Sequence, residues 1–216
     1  MIGQAEALKI QPDADPLDRA ISAATDAILS LQQADGHWVF ELEADATIPA
    51  EYILLVHYLG EQANPELERK IGAYLRRIRR AHGGRPLYHD GAFDLSATVK
   101  AYFALKMIGD SPEAPHMVQA REAIWAHGGA ARANVFTRYL LALFGELRWE
   151  AAPSVPVELI LLPRWFPVHL SKMSYWARTV LVPLLVLQAL KPTARNPRNV
   201  HIPELFTGDK APPPGR

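Results

Sequence analysis

An all-α fold is what this sequence predicts, on three observations. Apolar residues recur at spacings of three and four in one segment after another, Pro or Gly punctuates most of those segments, and no stretch shows the apolar–polar alternation of a half-buried strand. With 216 residues, 49% of them hydrophobic, the chain can bury a sizeable core. Its 23 Lys and Arg balance 23 Asp and Glu, so no net basic field draws it to nucleic acid. It has no Cys, which excludes disulfide frameworks, thiolate zinc sites and Cys nucleophiles, and fits a reducing compartment.

Taken in order, residues 1–15 read as a flexible arm. Asp15-Pro16 then supplies an N-cap and a first-turn proline for a helix whose apolar row is Leu17, Ile21, Ala24, Ile28 and Leu31. Gly36 ends it. A second helix is expected from about Ile48 to Gly60. A third starts at Asn64-Pro65, with Leu67, Ile71, Tyr74, Leu75 and Ile78 on one face, and reaches "HGG" at 82–84. Asp94 caps a fourth, closed by Gly109. Ser111-Pro112 opens a fifth, which ends at a second "HGG", 127–129. A sixth, "ANVFTRYLLALFG", closes at Gly145. After Pro-rich connections the last helix covers about Ser174 to Leu190, and the tail 207–216 is too rich in Pro to be helical.

No basic stretch followed by an apolar one marks a signal peptide at the start of the sequence. The most apolar run, "TVLVPLLVLQAL" (179–190), is too short to span a bilayer and contains a Pro. It reads as a buried helix, or as one lining an apolar cavity.

The helices form a weak repeat. Each unit is an amphipathic helix, a Gly-bearing loop and a more apolar helix, and the loops recur at Gly36, Gly84 and Gly129, a period of 45 to 48 residues. Such a period predicts stacked helical hairpins with the more apolar helices as an inner layer, in a solenoid or a closed toroid.

Candidate chemistry is sparse. An "HGG" loop can form an oxyanion hole, but the Gly-x-Ser-x-Gly elbow that would accompany it is missing from this sequence, and both copies read as helix C-termini. His82, His89, Asp90 and Asp94 match no metal-ligand spacing, so no metal site is expected. Glu41, Glu43 and Asp45 could act as general acids, but acids just before a helix ordinarily serve its N-terminal dipole. The densest aromatic stretch, 161–185, holds Trp165, Phe166, Tyr175 and Trp176. These aromatics are either core residues or the wall of an apolar pocket whose ring faces stabilise cations.

Gln32-x-x-x-Gly36-x-Trp38, followed by "ELEAD" and "AEYILL", resembles the first QW repeat of the squalene–hopene cyclases. "YHDGAFDLSATVKAYFALKMIGD", "GGAARANVFTRYLLALFG" and "LLPRWFPVHLSKMSYWARTVLVPLLVLQALKP" are similar to consecutive segments of the same bacterial family. The resemblance covers nearly the whole chain after the arm. It implies an isomerase (an intramolecular transferase) of hopanoid and triterpenoid biosynthesis, built of two α/α-toroid domains around an apolar cavity. Members cyclise squalene to hopene or hopanol through carbocations, without cofactor. They are cytoplasmic and sit peripherally on the inner membrane. By the same resemblance Trp176 lines the substrate cavity and Met173 and Leu181 lie near its entrance, whereas Gln32, Gly36 and Trp38 belong to the structural repeat.

Two departures qualify this expectation. The family's proton donor belongs to an Asp-x-Asp-Asp motif of the later domain, and this sequence contains none. Residues 16–206 therefore read as the N-terminal portion of a toroid, ending in a truncated tail at 207–216. That portion is inactive alone and prone to self-association or to pairing with a missing C-terminal part. In the second repeat the Gln and Trp positions hold Arg79 and Arg85, leaving that loop without its stacking pair. The alternatives are a non-catalytic helical scaffold binding a lipid or partner protein, and other toroid enzymes. Prenyltransferases normally need a Cys on zinc, and toroid glycosidases need paired carboxylates in a polar cleft.

Overall fold

The computed structural model describes residues 15–40, 43–153 and 155–206. The expected arm, apart from Asp15, lies outside the described residues, as do Glu41 and the tail 207–216. The chain divides into two units, Met1–Glu43 and Ala44–Arg216.

In the first unit, α1 (Pro16–Ser30) begins as its sequence dictates. Asp15 Oδ1 accepts the amide of Leu17 at 3.2 Å, and Pro16, which has no amide to leave unpaired, is the first helical residue. The chain then reverses: the Gln33 amide donates to the His37 carbonyl at 2.8 Å, and Gly36 takes a φ of 90° that a side chain would disfavour.

The second unit holds α2 (Thr47–Leu59), α3 (Pro65–Arg77), α4 (Leu95–Met107), α5 (Pro115–Ala126), α6 (Val135–Leu143) and α7 (Tyr175–Leu190), with short 3-10 turns between and after them. Among the described residues there is no strand, only an isolated antiparallel bridge between Arg85 and Asp94. Side chains cap the helix starts. Asn64 accepts from Glu66 and Leu67, Asp94 from Ala97, Asn134 from Thr137 and Ser174 from Ala177.

Two boundaries differ from expectation. α5 begins at Pro115 rather than at Ser111-Pro112. The Pro115 ring pushes Ala114 into extended geometry (φ −62°, ψ 140°), and residues 111–114 form a turn closed by the Ala114 amide on the Ser111 carbonyl. α3 stops at Arg77, short of "HGG", because the Arg80 amide donates to the Gly84 carbonyl instead of continuing the helix.

The core centres on α4, of whose 13 residues 11 are buried. Its Ala97, Ala101 and Ala104 allow neighbours to approach closely, while Phe103 meets the Phe144 ring edge-on at 4.9 Å. α2 and α6 pack against α4 as fellow inner helices, and α3 and α5 cover it from outside. This is the two-layer hairpin arrangement expected from the repeat.

Beyond α7 the chain becomes an extended strap, 191–206, that crosses the C-terminal ends of the inner helices. Its amides satisfy carbonyls that helix ends leave free: Ala194 donates to Leu143, Arg195 to Tyr58 and Asn196 to His57, at 2.7–3.1 Å. Ile202 and Leu205 are fully buried. Arg198 donates to the Met107 carbonyl at 2.9 Å and forks onto Glu68.

Candidate functional site: an apolar groove between α6 and α7

The faces of α6 and α7 bound a groove of about 640 Å³ lined by Val135, Phe136, Tyr139, Trp176, Val180 and Leu181, among others. The helical period places these residues. Trp176, Val180 and Leu184 follow each other at four-residue steps along α7, so one stripe points into the groove. The lining is almost wholly apolar. Its polar atoms are already committed, since the Tyr139 hydroxyl donates to the Pro153 carbonyl at 2.9 Å and Ser174 caps α7. Burial pushes the Tyr139 hydroxyl pKa up, so it stays neutral.

A second groove, of about 450 Å³, opens between α2 and α6, with Leu187 of α7 at its border. It is lined by Ile48, Tyr52, Leu55 and Leu140, with Glu51 as its only charged side chain. Lys100 of α4, itself 5% exposed, holds Glu51 at 2.5 Å. The pair neutralises two charges beside an apolar surface.

Of the residues expected at a cavity, Trp176 and Leu181 lie together in the first groove, and Trp176 is 77% exposed there. Met173 sits just before the α7 cap and is not part of that lining. Trp165 and Tyr175 are also exposed, so this aromatic stretch is a surface and not core. Gln32, Gly36 and Trp38 form a closed clip in the first unit. Gln32 Nε2 donates to the Gly36 carbonyl at 2.6 Å, and Trp38 Nε1 to the Ile28 carbonyl, in the last turn of α1, at 2.8 Å.

The two "HGG" loops have a structural use. The His127 ring stacks on Phe93 at 4.0 Å, and the His82 ring meets Phe93 edge-on at 5.7 Å. A Cβ on Gly84 would lie 2.3 Å from the Phe93 ring, so glycine is required for that approach. Asp45 Oδ1 accepts from the amide and hydroxyl of Thr47, the first residue of α2. No group of three or more His, Asp or Glu among the described residues could hold a metal ion. No helix among them is long and apolar enough to cross a membrane.

A stack of helical hairpins presenting an apolar, aromatic groove defines the class: an all-helical, α/α-repeat protein. A family model described as the squalene–hopene cyclase N-terminal domain matches residues 21–214. The chain is 64% identical to the squalene–hopene cyclase of Zymomonas mobilis over 98% of its own length and 32% of that relative's. It is 62% identical to that of Bradyrhizobium diazoefficiens over 91% of the chain and 30% of the relative. Against the Alicyclobacillus acidocaldarius enzyme the identity is 37%, over 90% and 31%. The chain belongs to the squalene–hopene cyclase family, as its N-terminal part, and spans about a third of the length of these relatives.

Proposed function

We propose that this chain supplies one wall of the squalene-binding cavity of a squalene–hopene cyclase. The observation that carries this reading is the α6–α7 groove, whose apolar lining, with Trp176 at its mouth, suits a hydrocarbon that must be shielded from water while it carries positive charge. Trp176 and Leu181 serve as cavity residues and Met173 as an entrance residue just outside the lining, while Gln32, Gly36 and Trp38 clip the end of α1 to the loop that follows it.

An isolated alkene is a weak base, so cyclisation needs a strong carboxylic acid aimed at it. The Asp-x-Asp-Asp sequence that serves the family is not among these residues. The chain therefore contributes walls and not the proton, and it works by pairing with the remaining part of such an enzyme at the surface of the inner membrane. The exposed apolar side chains of α2 and α7 are the surfaces that such a pairing would cover. The direct test is to incubate the purified chain with squalene in detergent and analyse the products by gas chromatography. No hopene is expected, and its formation would refute the missing-acid argument.

A further inference from the structure

The loops after α1 and α3 share a hydrogen-bond pattern displaced by 47 positions. Gln33 N donates to His37 O, and Arg80 N to Gly84 O. Gly36 N donates to Gln33 O, and Gly83 N to Arg80 O, with both glycines at positive φ (90° and 81°). The same displacement carries Trp38 onto Arg85 and Ile28 onto Leu75. Trp38 Nε1 donates to the Ile28 carbonyl at 2.8 Å, and Arg85 Nε donates to the Leu75 carbonyl at 3.2 Å. Each acceptor lies two residues before the last residue of its helix, Ser30 or Arg77, and the Ile28 carbonyl also accepts the amide of the C-cap residue Leu31 at 3.1 Å.

From this superposition we infer that Arg85 is the working equivalent of Trp38: a planar N–H donor that locks the end of α3 to the loop following it, so the second repeat keeps its clip despite having lost the Gln–Trp pair. Indole and guanidinium share what the job requires, a flat group with an N–H in its plane, Nε1–H of Trp38 and Nε–H of Arg85. The neighbourhood fixes Arg85 for the role. It is fully buried, its own amide donates to Thr98 Oγ1 at 3.0 Å, and its carbonyl accepts from the Asp94 amide at 3.2 Å. The third loop keeps the positive-φ glycine at Gly128 but has Ala130 at the donor position, so no side-chain bond of this kind forms there.

The substitution has a cost. Arg85 Nη1 and Nη2 have no hydrogen-bond partner among the described residues, and burial, with repulsion from Arg79, lowers its pKa to about 10. The guanidinium still carries its charge at neutral pH, and Nε is the nitrogen through which it makes its bond, to the Leu75 carbonyl.

The test compares donors with non-donors of similar size at both positions in the 216-residue chain, by thermal unfolding followed by circular dichroism. Arg85→Gln keeps an N–H without the charge, and Arg85→Met keeps neither. The Gln variant is expected to melt about 2–4 °C above the Met variant, although Met is the better core residue. In the first repeat Trp38→Arg is expected to retain more of the wild-type Tm than Trp38→Met. Met variants melting at or above their donor counterparts would overturn the assignment. Should the Arg85 variants fail to fold, the Trp38 pair decides alone, with the same two outcomes.

Discussion

At the residue scale, charge is handled by pairing. Glu68 sits between His57 Nε2 at 2.8 Å and the Arg198 fork, with its carboxylate 12% exposed. Burial alone would raise its pKa, but the hydrogen bonds and charges of Arg198 and His57 outweigh that and hold it below 4.5. A carboxyl lowered in the folded state stabilises the fold above its unfolded pKa and loses that contribution as pH falls through the folded value. Glu68→Gln should therefore flatten the loss of stability below about pH 4.5, measured as the urea midpoint across an acid titration. An unchanged slope would show that the bridge does not matter. Glu146 has the opposite sign. Burial raises its pKa despite the Ile202 amide and His201, so the stability it contributes in acid is lost as pH rises. Glu146→Gln should then relieve a penalty at neutral pH if the Ile202 bond survives, which the same titration reads.

At the element scale, the strap ties the inner helices together with no regular structure of its own beyond the 3-10 turn Pro203–Leu205. Ile202→Ala, at a fully buried position, should cost about 2–5 kcal/mol. Denaturant unfolding checks this, and a change below about 1 kcal/mol would mean that the strap is only loosely held. Phe93→Ala removes the ring between His82 and His127 and should loosen both loops, seen as faster hydrogen exchange at residues 80–86 and 127–133. The strap is also where sequence reading fell short. Helices declare themselves through period and caps, and Asp15, Asn64 and Asp94 all sit where expected. An extended segment that bonds through its backbone to distant helix ends leaves no period to find. The α5 start differs from expectation because Pro112 and Pro115 offer competing openings, and the extended geometry that Pro115 imposes on Ala114 chooses between them. Trp176 and Leu181 were expected at a cavity by resemblance alone, since aromatics at helical spacing fit a core equally well, and both line the α6–α7 groove. The equivalence of Arg85 and Trp38 was invisible because the two side chains differ in charge and agree only in the bond they donate.

For the whole molecule, the proposed function rests on exposed apolar surface. Ile48, Tyr52 and Leu55 of α2, Phe136 of α6 and Trp176 of α7 remain exposed beside the two grooves. Contiguous apolar surface of this kind predicts concentration-dependent association of the isolated chain, which sedimentation would detect. The central claim is that this surface is a cyclase cavity wall, and a chimera tests it most directly. Replacing the matching N-terminal third of the Zymomonas mobilis cyclase with this chain leaves that enzyme's remaining two thirds in place. Incubated with squalene, the chimera should form hopene, and Trp176→Ala within it should lower kcat/KM about tenfold or more, in line with losing about 1.4 kcal/mol of cation–ring stabilisation. A folded chimera that makes no hopene would contradict the account.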